Sequence, residues 1–319
     1  MTHVPPRRRR TVYILRASPF HNGHAELLEH AHRLSDQVII VLGSAHQPRT
    51  VKNPFTSLER EMMIRSWMME KRLDQSKVLF IKSRDYRYSN TRWLSELMAQ
   101  IPQFDGETYI TGSDRAPSTF YLKMFPDYKL DLVEENRSVS KELSATRVRE
   151  IYFGKTLSGM KLLSDDCIML LKAFVPPTTL DFLTTFQETN DYKKLVSEFE
   201  FYKEYAKNFE GWKYPPNHVT TDAVVFQSGK VLLIKRRNNP GKDLWALPGG
   251  HVNQNEWMFD GVIRELREET KLDIPTPALI GSLIGDRMFV DPSRSLRFGR
   301  TYTRAFAFLL ADVLGNGEY

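Results

Sequence analysis

The chain has 319 residues, of which 41% are hydrophobic and 12% aromatic, enough apolar material for folded cores and against disorder. No run approaches the roughly 18 apolar residues of a membrane span, and the N-terminus lacks the apolar segment of a secretory signal. We therefore expect no membrane partner. The single cysteine, Cys167, excludes an intramolecular disulfide and favours a reducing, cytoplasmic location.

The chain is basic, with a formal net charge of +6. Phosphorylated small molecules explain such a charge as well as nucleic acid does. No zinc-ligand spacing and no RNA-binding motif with stacking aromatics is present, so we expect no nucleic-acid partner. Four arginines form a run at residues 7–10, which we predict to be a solvated tail.

The first half of the chain alternates between strand and helix patterns. Residues 11–15 and 37–42 read as buried strands, and a loop at 16–22 and a helix from about 23 to 34 lie between them. This order makes a βαβ unit, whose strands are parallel and whose ligands bind at the carboxyl ends of the strands.

The remaining elements follow in chain order and define three segments. We predict strands at 78–81 and 108–111, helices at 62–69 and 93–101, and a closing helix around 144–153. Residues 164–214 read as helical with a break at Pro176-Pro177. Strands return at 220–226 and 231–234, around a turn at Ser228-Gly229. The predicted domains are 10–160, 161–216 and 217–319. The predicted fold class is α/β, a domain with a parallel sheet joined by helices to an α+β domain.

Two histidines stand between the first strand and its helix, in the sequence His21-Asn22-Gly23-His24. Gly23 permits close backbone approach, and the start of the helix offers free N–H groups and the positive end of its dipole. A single histidine there would usually be a helix cap. A pair spaced by three, at this end of a βαβ unit, favours a phosphate site.

This element resembles the signature of the nucleotidylyltransferase superfamily, and further segments resemble its archaeal-type nicotinamide mononucleotide (NMN) adenylyltransferases. Asn53-Pro54-Phe55-Thr56 with Glu59-Arg60 resembles the segment after the second strand of that family. Ser144, Thr146 and Arg149 resemble the motif with which that family binds the ATP phosphates. Gly112 and Asp114 resemble its adenosine-contacting loop. Asn90 and Trp93 resemble its nicotinamide nucleotide site. Independently, Ser144 is a good N-cap and Arg149 can fork onto phosphate oxygens.

The resemblance implies a Rossmann-like domain that transfers an adenylyl group from ATP to NMN, giving NAD and pyrophosphate. Such a reaction needs orientation of two anions and positive charge on the transferring group. We expect His21, His24, Arg16, Arg149 and Mg²⁺ to supply them. The sequence departs from the family in the loop after the first strand, at Leu15, Ala17 and Ser18.

The second candidate site is a set of carboxylates after Gly249-Gly250. Glu265, Glu268 and Glu269 are separated by steps of three and four, so they share one helix face. Carboxylates this close repel unless a cation lies between them, and oxygen ligands suit Mg²⁺ or Mn²⁺. A solvated acidic stripe is the alternative, but it does not explain the glycine pair or its spacing to Glu256.

This segment resembles the Nudix box. The resemblance implies metal ions held by Glu265, Glu268 and Glu269, of which Glu265 and Glu269 are catalytic. It also implies that Gly250, Glu256 and Arg264 support this site, and that Arg264 tethers one of the glutamates. Lys271 stands where that family usually has a glycine that ends the helix, so we expect local strain and an intact metal site.

Taken over residues 11–311, the chain resembles bifunctional NMN adenylyltransferase/Nudix hydrolases, which act on ADP-ribose. The predicted function is NAD synthesis in the first domain and Mg²⁺-dependent hydrolysis of ADP-ribose to AMP and ribose 5-phosphate in the second. The expected small-molecule partners are ATP, NMN, NAD and ADP-ribose, and a homo-oligomer is compatible with the sequence. We also expect the Nudix domain to be truncated, because no closing helix is evident.

Two alternatives stay open at this point. One is an adenylyltransferase with another phosphorylated acceptor, which Trp93 disfavours because an indole suits stacking on a ring. The other is an NMN adenylyltransferase whose Nudix domain only binds ADP-ribose or NAD as a regulatory module. The three glutamates speak against this second alternative, and the short C-terminus speaks for it.

Overall fold

The computed structural model describes residues 8–86, 89–113, 123–133, 144–154, 165–290 and 299–311. The chain forms two compact units that divide between Phe199 and Glu200. The sequence-based division into 10–160, 161–216 and 217–319 stays a prediction. Within the described ranges, no helix has the length and apolar character needed to cross a membrane.

The first unit is built on a five-stranded parallel sheet in the order β3-β2-β1-β4-β5. The strands are β1 (Arg9–Leu15), β2 (Gln37–Leu42), β3 (Val78–Lys82), β4 (Glu107–Ser113) and β5 (Lys129–Val133). β1 lies at the centre and pairs in register with β2 and β4. Buried apolar clusters cover both faces of the sheet, which explains the continuous hydrophobic runs of β1 and β2. The predicted Rossmann-like parallel sheet is confirmed.

The helices up to residue 207, the last of which extends past the division at Phe199, match the predicted order. They are α1 (Asn22–Leu34), α2 (Ser57–Glu70), α3 (Asn90–Gln100), α4 (Ala145–Gly154), α5 (Asp165–Phe174), α6 (Pro177–Phe186) and α7 (Asn190–Lys207). Pro177 occupies the first turn of α6, where its missing N–H costs nothing, so the predicted break at the proline pair is confirmed. Leu171, Leu183 and Leu195 from α5, α6 and α7 join the same core as β1 and β2.

The prediction of a solvated arginine tail is wrong for Arg9 and Arg10, which belong to β1. The side chain of Arg10 is buried and donates a hydrogen bond of 2.6 Å to the carbonyl oxygen of Pro102. Arg9 forms an ion pair with Asp131 on the edge strand β5, two strands away in the sheet. The first arginine of the run lies outside the described residues. These charges therefore anchor the sheet, because buried guanidinium groups must find acceptors.

The second unit is an α+β domain around a mixed sheet in the order β10-β6-β12-β11. Its strands are β6 (Asn217–Gln227), β7 (Lys230–Val231), β8 (Ile234–Lys235), β9 (Trp245–Ala246), β10 (Gly249–His251), β11 (Leu283–Phe289) and β12 (Arg300–Leu309), and its helices are α8 (Met258–Thr270) and α9 (Thr276–Gly281). The predicted strand at 231–234 is divided, because Val231 pairs with β6 whereas Ile234 pairs with β9. α8 buries Val262, Ile263 and Leu266 against this sheet.

Candidate active sites

The first site lies at the carboxyl ends of the parallel strands. The loop after β1 leads directly into α1, so Arg16 and the two histidines meet this edge of the sheet. The loop after β2 lies beside it, and the N–H of Gly43 donates to the carbonyl oxygen of Leu15 at 2.9 Å. Ligands of open parallel sheets bind at this edge, as the sequence predicted.

His21 and His24 cap the start of α1 reciprocally. His21 is the N-cap, and its Nδ1 accepts from the backbone N–H of His24 at 3.4 Å. In return, Nδ1 of His24 accepts from the backbone N–H of His21 at 3.3 Å. The two rings stack with their centroids 3.5 Å apart. The capping and phosphate readings of this pair are thus compatible, because capping uses only one nitrogen of each ring.

This capping pattern selects one tautomer for each ring in its neutral form. Because each Nδ1 accepts a hydrogen bond, the proton of each neutral imidazole lies on Nε2, which is then a donor. Burial and the neighbouring His21 hold the pKa of His24 well below its ordinary value of 6.5. His24 is therefore neutral at pH 7, and it can serve a phosphate as a hydrogen-bond donor rather than as a cation.

The positive charge of this site comes from arginines. Arg149, on α4, donates to the carbonyl oxygen of Ser18 at 2.8 Å and to Oγ1 of Thr146 at 3.1 Å. Burial and the nearby charge of Arg16 lower the pKa of Arg149 to about 10. Two guanidinium groups that raise each other's energy in this way favour an anion between them.

Ser144 lies where the sequence placed it, at the start of α4. Its Oγ accepts from the backbone N–H of Arg147 at 3.1 Å, which is N-cap geometry. Thr146 follows in the first turn, beside the guanidinium of Arg149. The structure therefore brings the predicted Ser, Thr and Arg of this motif to one helix start.

The predicted nicotinamide residues lie on α3, which follows the carboxyl end of β3. Asn90 is the first residue of this helix and is exposed. The Nε1–H of Trp93 donates to Oγ of Ser83 at 2.9 Å, and the edge of its ring meets Phe125. Trp93 is thus held at the same edge of the sheet as the histidines, although none of the described contacts joins the two sets.

The predicted adenosine loop is described only at its start. Gly112 is buried near the end of β4, where it pairs with Leu132 of β5. Asp114 lies outside the described residues.

Sequence reasoning quoted Arg60 as part of the segment after the second strand but gave it no role in this site. Its side chain is fully buried, although it sits on the apolar face of α2 together with Met63, Ile64 and Trp67. A charged residue within a hydrophobic helix face is a signal that the sequence does offer, because such a group needs buried partners.

The second site lies where β10 meets α8, and its glycines are required by close contact. A Cβ on Gly249 would lie 2.2 Å from the carbonyl oxygen of Thr221 on β6. A Cβ on Gly250 would lie 2.5 Å from Oε1 of Glu265 on α8. The glycine pair therefore lets strand and helix approach so closely that a carboxylate of the helix lies against the strand.

Arg264 organises the carboxylates around it. Its guanidinium donates to both carboxylate oxygens of Glu256, at 2.8 and 2.9 Å, and to Glu265 at 2.9 Å. It also reaches Glu268 at 3.3 Å. These bonds lower the pKa of Glu256 to about 2, so this carboxylate is ionised and committed to Arg264. Glu256 lies just before α8, and the predicted tethering of a glutamate by Arg264 extends to three.

Glu269 is held differently, by the backbone of the strand. Its Oε2 accepts from the N–H of Gly249 at 2.9 Å. Burial raises the pKa of Glu269, and the charges of Glu265 and Glu268 add to this effect. As placed, no three His, Cys, Asp or Glu side chains of the described residues converge as a metal site. Arg264 binds Glu265 and Glu268, whereas the Gly249 N–H binds Glu269. The three predicted ligands therefore lie near one another on the helix without converging on one point.

Helix α8 ends in the left-handed conformation at Lys271, where the sequence predicts local strain. Lys271 follows α8 with φ 58° and ψ 20°, and its N–H donates to the carbonyl oxygen of Arg267. Glycine adopts this conformation without cost, whereas a side chain makes it unfavourable.

Comparisons with known proteins match the two segments of the chain that contain these sites. The Cytidylyltransferase-like family matches residues 16–151, and the NUDIX domain matches residues 216–318. A nicotinamide/nicotinic acid mononucleotide adenylyltransferase from Acinetobacter baylyi is 31% identical over 192 residues, covering 59% of this chain and 92% of that protein. An ADP-ribose pyrophosphatase from Methanocaldococcus jannaschii is 40% identical over 98 residues, covering 31% of this chain and 52% of that protein.

Solved structures extend the likeness over both units. A bifunctional NMN adenylyltransferase/ADP ribose pyrophosphatase from Francisella tularensis, complexed with AMP and a manganese ion, is 30% identical with a TM-score of 0.83, and the match covers 97% of this chain and 86% of that chain. The fold and the two sites define a nucleotidylyltransferase joined to a Nudix domain. The chain belongs to the family of bifunctional NMN adenylyltransferase/ADP-ribose pyrophosphatases.

Proposed function

We propose that the first unit makes NAD by transferring the adenylyl group of ATP to NMN. The observation that supports this most strongly is the reciprocal cap of His21 and His24, which places two imidazole rings at the start of α1, while Arg149 holds the loop that leads into this helix. The relatives named as NMN adenylyltransferases support the choice of acceptor.

In this reaction a 5′-phosphate oxygen of NMN attacks the α-phosphorus of ATP. The bond from that phosphorus to the oxygen bridging to the β-phosphorus breaks, and pyrophosphate leaves with the electron pair. His21 and His24 donate hydrogen bonds to phosphate oxygens, and Arg16 and Arg149 balance the charge of two polyanions brought together. Mg²⁺ bound with the triphosphate would supply further charge neutralisation.

We propose that the second unit hydrolyses ADP-ribose. Water adds to one phosphorus of the diphosphate, the bridging P–O bond breaks, and the products are AMP and ribose 5-phosphate. The oxygen-only donors Glu265, Glu268 and Glu269 fit Mg²⁺ or Mn²⁺, since they share one helix face. Burial raises the pKa of Glu269, and the charges of Glu265 and Glu268 add to this effect. A cation held by these carboxylates would neutralise charge on the diphosphate.

Arg264 keeps this carboxylate face in place while the reaction occurs. It is bonded to Glu256 on one side and to Glu265 on the other, so it orients Glu265 on the helix face. The binding-only alternative for this unit is not favoured, because all three glutamates are present and the solved relatives over both units are named as pyrophosphatases.

The direct experiment incubates the purified chain with Mg²⁺ and either NMN plus ATP or ADP-ribose, with products separated by chromatography. We expect NAD in the first tube and AMP in the second, and no AMP when a chelator removes the metal. NAD without AMP would contradict the hydrolase proposal and revive the binding module. A product from another phosphorylated acceptor, but not from NMN, would contradict the choice of acceptor. The cytoplasmic location and a homo-oligomer stay predictions.

A further inference from the structure

Arg60 is a fully buried arginine whose partners are backbone carbonyl oxygens. Its Nη1 donates to the carbonyl of Arg16 at 2.6 Å and to that of Gly43 at 2.7 Å. Its Nη2 reaches the carbonyl of Ser44 at 3.3 Å, and its Nε reaches that of Thr56 in its own helix start at the same distance. One side chain therefore joins the loops that follow β1 and β2.

These carbonyl groups lie where a polyphosphate is expected to bind. The loop after β1 continues through Ser18 to His21, and its Ser18 carbonyl is held by Arg149 from α4. The loop is thus fixed at two points, by Arg60 from α2 and by Arg149 from α4. In addition, carbonyl oxygens at the ends of parallel strands would repel a phosphate, and a guanidinium that binds them offsets this repulsion.

Burying the charged guanidinium of Arg60 costs free energy, and its hydrogen bonds to carbonyl oxygens offset that cost. Burial and the charge of Arg16 lower the pKa of Arg60 to about 10, so Arg60 stays protonated at pH 7 in spite of its surroundings. A methionine would fill the same hydrophobic helix face without that cost, as Met63 does one turn later. The contacts that only a guanidinium can make are those to the two loops.

We propose that Arg60 is a positioning residue for adenylyl transfer: it joins the loops after β1 and β2 and so places Arg16 and His21 against the reacting phosphates. The inference rests on the function proposed for the first unit. Arg60 acts through the backbone of these loops and does not itself contact the reacting atoms.

The test compares R60K and R60M with the matched surface variants R65K and R65M. Arg65 lies on the same helix, but its Nε bonds to Glu61, four residues earlier, at the partly exposed surface. A lysine keeps the charge of Arg60 but is a compact point donor, and it cannot span carbonyls of two loops as the planar guanidinium does. The measurements are kcat and the KM for ATP in NAD formation, the melting temperature, and ADP-ribose hydrolysis by the same molecules.

We expect kcat for NAD formation to fall at least 10-fold in R60K and about 100-fold in R60M, since a misplacement near 1 Å costs about that factor. ADP-ribose hydrolysis and both Arg65 variants should stay near wild type. Wild-type kcat in a folded R60K would overturn the proposal, because charge alone would then suffice. So would a loss of activity that only follows the unfolded fraction. A wild-type chain that makes no NAD would instead contradict the function proposed for the first unit.

Discussion

Gly250 offers a sharp test of how the second site is built, because an added methyl group would press on the side chain of Glu265, a residue that we propose acts in hydrolysis. A Cβ at this position would lie 2.5 Å from Oε1 of Glu265, and the neighbouring carbon would be 2.6 Å away. Restoring even a tight contact of 3.0–3.4 Å requires the carboxylate to retreat by 0.5–0.9 Å. Displacement of this size in an active site costs about 10- to 100-fold in rate, or about 1.4–2.7 kcal/mol of transition-state stabilisation.

We therefore expect G250A to lower kcat for ADP-ribose hydrolysis by about 10- to 100-fold while the second unit stays folded, because the obstacle is the end of a side chain. The assay is AMP release, with thermal unfolding measured on the same samples. G281A is the matched control, since a Cβ there meets nothing within 4 Å. G249A should behave differently and destabilise the unit, because its Cβ would lie 2.2 Å from the Thr221 carbonyl oxygen.

Wild-type hydrolysis by a folded G250A would refute this reasoning, since Glu265 would then tolerate displacement. A loss of activity that parallels unfolding would also refute it, because the effect would lie in the fold rather than in the placement of one carboxylate.

Three further predictions concern single residues. K271G should raise the unfolding free energy of the second unit by about 0.5–1 kcal/mol, since it relieves a left-handed lysine at some entropic cost; an unchanged melting temperature would contradict this. The pKa of His24 is depressed in the folded state, so below about pH 6.5 the unfolded chain takes up a proton that the folded chain does not. The free energy of unfolding is therefore unaffected by His24 above about pH 6.5 and falls by up to about 1.4 kcal/mol per pH unit between there and the folded-state pKa. Urea unfolding of H24Q should show a shallower pH dependence than the wild type, and equal slopes would exclude the assignment. W93A should raise the KM for NMN about 5- to 100-fold with little change in kcat, as expected for a lost stacking partner. Steady-state kinetics measure both constants, and a lower kcat with an unchanged KM would contradict this role.

The order of elements in the first unit could be predicted because buried parallel strands appear in the sequence as continuous apolar runs. β1 and β2 are covered on both faces, so their hydrophobic pattern does not depend on context. β5 (Lys129–Val133) was not predicted, since it is an edge strand whose residues are half-buried or exposed. β12 (Arg300–Leu309) was also not predicted as a strand, although it pairs along its length with β6.

The site residues show a similar division between local and distant causes. The spacing of His21 and His24 places both at one helix start, so their proximity could be predicted from local geometry. Arg60 could not be placed in the same way, because its acceptors in the loops after β1 and β2 lie 16 and more residues away in the chain and become neighbours only when the sheet forms. The arginine run was misjudged for the same reason, since Arg10 finds its carbonyl acceptor 92 residues along the chain.

The most direct test of two independent active sites in one chain is a crossed assay of H24A and E269Q. Both variants are incubated with NMN plus ATP and, separately, with ADP-ribose and Mg²⁺. We predict that H24A loses NAD formation and hydrolyses ADP-ribose at the wild-type rate, whereas E269Q makes NAD normally and loses hydrolysis. Loss of both activities in H24A, or undiminished Mg²⁺-dependent hydrolysis in E269Q, would contradict the account.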